Sequence, residues 1–139
     1  MTRALTVMQL LPELNVGGVE RGTIEVARAL RAAGHRALVV SAGGRLLPEL
    51  AACGAEHIAR EIGEKRPSSL RHVYTLRRLF AEFDVDIVHA RSRLPAWLGR
   101  LALGRRQPGM RPAWVTTVHG PYTVNRYSRI MASGDAVIA

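Results

Sequence analysis

The chain has 139 residues, of which 47% are hydrophobic and 22% charged, a balance that excludes a disordered or fibrous protein and suits one domain with a real core. Its 20 basic and 11 acidic residues leave a net charge of +9, unevenly placed: residues 1–65 carry 8 basic and 7 acidic side chains, residues 66–139 carry 12 and 4. Such asymmetry fits an anionic partner for the second half, but 19 of the basic residues are arginine, so an arginine-rich composition accounts for it equally well. The single cysteine, Cys53, cannot form an internal disulfide, which points to a reducing, cytoplasmic setting. No apolar run approaches the roughly 18–20 residues of a membrane span.

In chain order, Leu5–Leu11 reads as a first strand, since it lacks a signal-peptide cleavage site and runs straight into Asn15-Val16-Gly17-Gly18-Val19-Glu20-Arg21. Val19, Thr23, Val26, Ala27 and Leu30 then recur at helical spacing with charges on the other face, and Gly34 supplies the left-handed stop. Arg36–Ser41 is a buried strand, Leu46–Cys53 a short helix and Glu56–Ala59 a short strand. Glu61–Ser69 reads as a loop in which Ser68 or Ser69 caps a third helix built on Val73, Leu76, Phe80 and Phe83. Asp86–Ala90 is a fourth strand, Leu94–Leu103 a fourth helix, Trp114–Val118 a fifth strand, Tyr122–Ala132 a helix and Ala136–Ala139 the start of a sixth strand. Short apolar strands alternating with helices predict an α/β fold, a Rossmann-like parallel sheet with helices on both faces. The chain stops inside an apolar strand, so we expect a fragment.

Ligands in such sheets bind beyond the carboxyl ends of the strands, where three polar clusters fall: Asn15–Arg21, His89–Arg93 and His119–Tyr122. Gly17-Gly18 sits where strand hands over to helix, so backbone amides and the positive helix end suit a phosphate; a plain tight turn is the competing reading. It is neither the dinucleotide fingerprint nor a P-loop. Gly43-Gly44 reads as a turn. His119 stands at a strand's carboxyl end before Gly-Pro, a candidate for ligand contact. Arg91 and Arg93, beside His89, either hold a substrate phosphate or carboxylate or belong to a solvated loop. The histidines are too scattered for a zinc site, and no nucleophile elbow is present. Trp97, Leu98 and Leu101 beside Arg100, Arg105 and Arg106 either pack inward or rest on an anionic membrane; the helical stripe favours packing.

The order of Asn15-Val16-Gly17-Gly18-Val19-Glu20, a helix ending Ala29-Leu30-Arg31-Ala32-Ala33-Gly34-His35, Asp86-Ile87-Val88-His89-Ala90, and Thr116-Thr117-Val118-His119-Gly120 resembles the N-terminal domain of family 4 glycosyltransferases. These are retaining enzymes of GT-B architecture, with two Rossmann-like domains facing across a cleft. The resemblance implies that residues 1–139 are the acceptor-binding domain, incomplete at its C-terminal end, with the donor-binding domain absent and the fragment alone inactive. It implies transfer of a hexose-type sugar from a nucleotide-sugar donor to a glycan, glycolipid or small-molecule acceptor, with no metal or other cofactor required. It assigns Gly17 and Gly18 to the donor diphosphate, His119 to the transferred sugar as the catalytic residue, and Glu20, Arg21 and Arg91 to the acceptor side. Many members carry a second histidine where this chain has Arg91. The expected location is the cytoplasm, with peripheral contact at the inner face of an anionic membrane as a further expectation. The alternatives are a non-catalytic basic module binding membrane or nucleic acid, or another GT-B enzyme such as a sugar-nucleotide epimerase or phosphorylase. Aromatic content of 5% speaks against nucleic acid.

Overall fold

In a computed structural model, residues 3–64, 67–105, 111–118, 128–132 and 134–138 are described. Six parallel strands form one sheet: β1 Thr6–Leu10, β2 Arg36–Ser41, β3 Glu56–Ala59, β4 Ile87–Ala90, β5 Ala113–Thr117 and β6 Ala136–Ile138. Their spatial order is β3-β2-β1-β4-β5-β6. The chain therefore builds outward from β1 to β3, crosses back, and builds the other way from β4 to β6. The Rossmann-like α/β architecture expected from the strand–helix alternation is the one found.

Helices α1 Gly18–Ala32, α2 Leu47–Ala52, α3 Arg71–Glu82 and α4 Arg93–Leu103 make the crossovers. Alternation along β1 and β2 divides the core between the two sheet faces. Met8, Leu10, Leu38 and Val40 join Leu76, Phe80, Ala96 and Leu98 of α3 and α4. Ala37 and Val39 pack with Ile24 and Ala27 of α1 and Leu50 of α2. Leu98 is buried and Trp97 packs against the same core, so the inward reading of that stripe is the one observed, while Leu101 is exposed.

The α1 stop works as its glycine predicts. Gly34 has φ 87, a left-handed value, and the following His35 N–H donates to Leu30 O at 2.9 Å. His35 Nδ1 then accepts from Leu5 N–H at 2.9 Å, tying the helix end to the start of β1.

Two expectations are corrected. Neither Ser68 nor Ser69 caps α3: a 3-10 turn over Pro67–Leu70 runs directly into the helix, Leu70 takes the cap position, and the Ser69 hydroxyl donates to Glu64 O at 2.6 Å. Of the helix expected over Tyr122–Ala132, the described part Ser128–Ala132 is a 3-10 turn lying against α4. Residues 122–127 lie outside the described residues.

Candidate active site at the carboxyl end of the sheet

The reversal of direction between β1 and β4 opens a crevice at their carboxyl ends, where open α/β sheets bind ligands. From β1, residues 11–17 lead into α1. This loop is zipped to the one after β2: Leu14 N–H donates to Gly43 O at 2.9 Å, Leu46 N–H to Leu14 O at 2.8 Å, and Arg45 N–H to Asn15 Oδ1 at 3.0 Å. A Cβ on Gly44 would stand 2.6 Å from the Leu14 backbone and from Asn15 Oδ1. The second glycine pair is thus more than a turn. Its lack of side chain lets the two loops touch, and it holds the first loop in place.

Gly17 and Gly18 differ in this respect. Gly17 has φ 171 and ψ 168, extended backbone open to any residue, and Gly18 is the first residue of α1. A Cβ on Gly18 would meet nothing within 4 Å. At Gly17 its nearest neighbours would be the end of the Glu20 side chain, whose carboxylate folds back over the glycine. The tight-turn reading therefore fails: neither backbone conformation nor internal packing requires glycine here. No side chain caps α1, whose first internal bond is Arg21 N–H to Gly17 O at 2.9 Å. The amides of Gly18, Val19 and Glu20 have no partner within the helix, and they stand at the positive end of its dipole.

From β4 comes Arg91. Its N–H donates to Leu10 O at 3.0 Å, extending the β1–β4 ladder by one bond. The side chain is only 4% exposed. Its Nε donates to Gln9 Oε1 at 2.6 Å, and Gln9 Nε2 donates to Thr23 O of α1 at 3.2 Å. Gln9, fully buried in the central strand, thereby joins β1, β4 and α1. Burial alone pushes the Arg91 guanidinium down to about 10, so it remains a cation at neutral pH. One terminal nitrogen lies 3.3 Å from where a Cβ of Gly22 would stand, so the glycine one turn beyond Gly18 makes room for it.

Arg21 turns to α2 instead, where it forms a two-pronged ion pair with Glu49 at 2.5 and 3.2 Å on the surface. Hydrogen bonding to Glu49 raises Arg21 and the reciprocal bond lowers Glu49. His89 is not at the crest of the sheet. It lies inside β4, buried, with its Nε2 bonded to Thr117 Oγ1 of β5. Arg93 opens α4, half-buried. His119, with Gly120, Pro121 and Tyr122, lies outside the described residues. The strand that leads to it pairs with β4 so that Ala90 faces Thr116.

Farther along the same rim, a cavity of about 380 Å³ is bounded by Ala59, Arg60, Glu61, Ser69, Arg71 and His72, among others. Burial, then Arg71 and Arg60, pushes the His72 imidazole below its usual range. Among the described residues, no group of three or more His, Cys, Asp or Glu side chains is arranged to hold a metal ion. Nor is any helix among them long and apolar enough to cross a membrane.

Gln9 and Gly22 were missed by pattern reasoning. Their signals were present: a lone amide in the apolar run Val7-Met8-Gln9-Leu10-Leu11, and a glycine inside a helical pattern.

With this geometry in place, residues 16–139 match the family model of Glycosyltransferase Family 4. The chain belongs to glycosyltransferase family 4. Its fold is that of a crystal structure of a glycosyltransferase from Rickettsia africae ESF-5, at TM-score 0.79 and 33% identity over 99% of this chain. The crystal structure of Acinetobacter baumannii MurG shares the fold, at TM-score 0.69 and 15% identity over 96% of this chain. This family 4 chain spans 37% and 40% of the lengths of those two. The N-terminal half of the GT-B architecture is therefore what the six strands form. No curated protein matches this sequence.

Proposed function

We propose that this family 4 domain is the acceptor-side half of a retaining hexosyltransferase, which moves a sugar from a nucleotide-sugar donor to a glycan, glycolipid or small-molecule acceptor. One observation carries the reading. The uncapped N-terminus of α1 stands at the sheet's switch point behind two glycines that no backbone of the described residues requires. Glycine there makes sense if an external group must come close to the backbone, and free amides at a positive helix end favour a phosphate. In this reading the donor diphosphate approaches Gly17 and Gly18. His119 stands beside the transferred sugar and stabilises charge as the glycosidic bond breaks, while Glu20 and Arg91 face the acceptor and Arg21, held by Glu49, borders the same side. A second, donor-binding domain completes the cleft, and no metal takes part. Without that domain the 139 residues are inactive.

The decisive experiment uses the domain joined to a donor-binding domain in one polypeptide. His119→Ala abolishes sugar transfer and leaves the circular dichroism spectrum unchanged; full turnover by the variant removes His119 from the site. The anomeric configuration of the product, read by NMR, tests retention.

A cytoplasmic, peripheral membrane location accompanies this reading. Leu70 and Tyr74 are exposed at the start of α3, beside Arg71 and Arg78. Apolar side chains among arginines suit anionic headgroups. Co-sedimentation with anionic vesicles that weakens as salt rises is expected; binding indifferent to both salt and lipid charge dismisses it.

A further inference from the structure

Arg91 is a buried cation whose only side-chain hydrogen bond among the described residues runs from Nε to Gln9. Gln9 is neutral, and no carboxylate of the described residues pairs with the guanidinium, so its terminal nitrogens keep their donor capacity. A charge held out of water without a counter-charge destabilises a fold, and an apolar side chain of similar volume would suit the interior better. The chain nevertheless provides for this one. Gln9 holds it from below, Thr23 O holds Gln9, and Gly22 clears the space beside it. One turn away stand the free amides of α1. The Glu20 carboxylate lies over Gly17 at that helix end, and among the described residues no carboxylate is paired with Arg91.

We propose that the ligand brings the counter-charge: the acceptor carries an anionic group, a phosphate or a carboxylate, that binds to Arg91 beside Gly22 of α1, one turn from the amides that face the donor diphosphate, with Gln9 as the positioning residue. This deepens the transferase reading and rests on it for the word acceptor, while the anion site itself is measurable without any transfer.

The probes are glucose 6-phosphate and glucuronate as acceptor-like anions, pyrophosphate as the donor-like one, and glucose as the neutral control. Their binding to the chain is read at constant ionic strength from the thermal midpoint and from the amide signals of Gly18 and Gly22. Glucose 6-phosphate or glucuronate is expected to raise the midpoint and move both signals, and glucose to do neither. Arg91→Met is expected to fold, with any fall in midpoint smaller than that of Asp86→Ala, and to bind roughly ten- to a hundredfold more weakly. Gln9→Glu supplies the guanidinium with an internal carboxylate and is expected to lose the anion response in a folded protein, which covers the case in which Arg91→Met does not fold. The proposal is overturned if the wild-type chain ignores both acceptor-like anions, if Gln9→Glu binds them as well as wild type, or if pyrophosphate alone binds. Anion binding without sugar transfer by the joined polypeptide would defeat the transferase reading and leave the site standing.

Discussion

Strand β4 is bracketed by two buried charges that are treated in opposite ways. At its amino end Asp86, 6% exposed, accepts from Arg3 at 2.7 Å, from Thr6 N–H at 2.8 Å and from Arg111. At its carboxyl end Arg91, 4% exposed, has a neutral amide and, among the described residues, no carboxylate. Burial works to raise the Asp86 carboxyl, but the Thr6 amide and the two arginines outweigh it and hold the group below the usual carboxylate range. The two ends are built for different work. A buried charge with its partners present fastens the strand; a buried cation left short of an anion fits a site that waits for one.

The sharpest way to break this contrast is to remove each charge in turn. Asp86→Ala is expected to lose about 3 kcal/mol in denaturant unfolding, because Thr6 N–H is left without its acceptor and two arginines without their carboxylate. Arg3 and Arg111 are largely exposed, which keeps the loss at that level. Arg91→Met gives up the donor to Gln9 Oε1 but also removes an unpaired buried charge, so it should lose clearly less than Asp86→Ala, and an equal loss at both ends would erase the distinction. Next in size is Gln9→Leu, expected to cost about 2 kcal/mol by leaving Arg91 Nε and Thr23 O without their partner in the core. If Gln9→Leu proves neutral, the amide is not what holds Arg91.

Acid sharpens the amino end alone. A depressed carboxyl pKa stabilises the fold fully above the unfolded value of about 3.9 and loses that contribution as pH falls through the lower folded value. The stability gap between wild type and Asp86→Asn should therefore be constant near neutrality and narrow below about pH 4. A gap that closes well above that pH would mean the carboxylate is not held as the geometry indicates. The smallest effect belongs to the carboxyl end. Gly18→Ala places a methyl in open space on a helical residue and is expected to add about 0.5 kcal/mol of stability. The same methyl stands before the α1 amides and should weaken donor binding in the joined polypeptide. Stability and function would then part company at Gly18.

Much of the fold was legible because its signals are local. Arg36–Ser41 was read to the residue from the apolar run Ala37-Leu38-Val39-Val40 after a glycine stop, and Glu56–Ala59 from its place after the Gly54 stop. The α3 entry was misread because Ser68 and Ser69 have the right chemistry for a cap, and only the neighbouring Glu64 carbonyl shows that the Ser69 hydroxyl is spent elsewhere. The family resemblance set Arg21 on the acceptor side, and its ion pair was not legible. Its partner, Glu49, is 28 positions away and faces it only once α1 and α2 pack together.

Order and spacing of short motifs thus determined the strand–helix series, the parallel sheet and the end at which a ligand would sit, since each rests on neighbours within one turn or one strand. The fate of individual polar side chains was decided by tertiary structure. Whether a histidine lies between strands or crests the sheet, whether an arginine meets a glutamate or an amide, and whether a glycine serves a turn, a neighbouring loop or open space are long-range matters. Gln9 meets Arg91 across 82 positions of sequence, and no local pattern records that meeting.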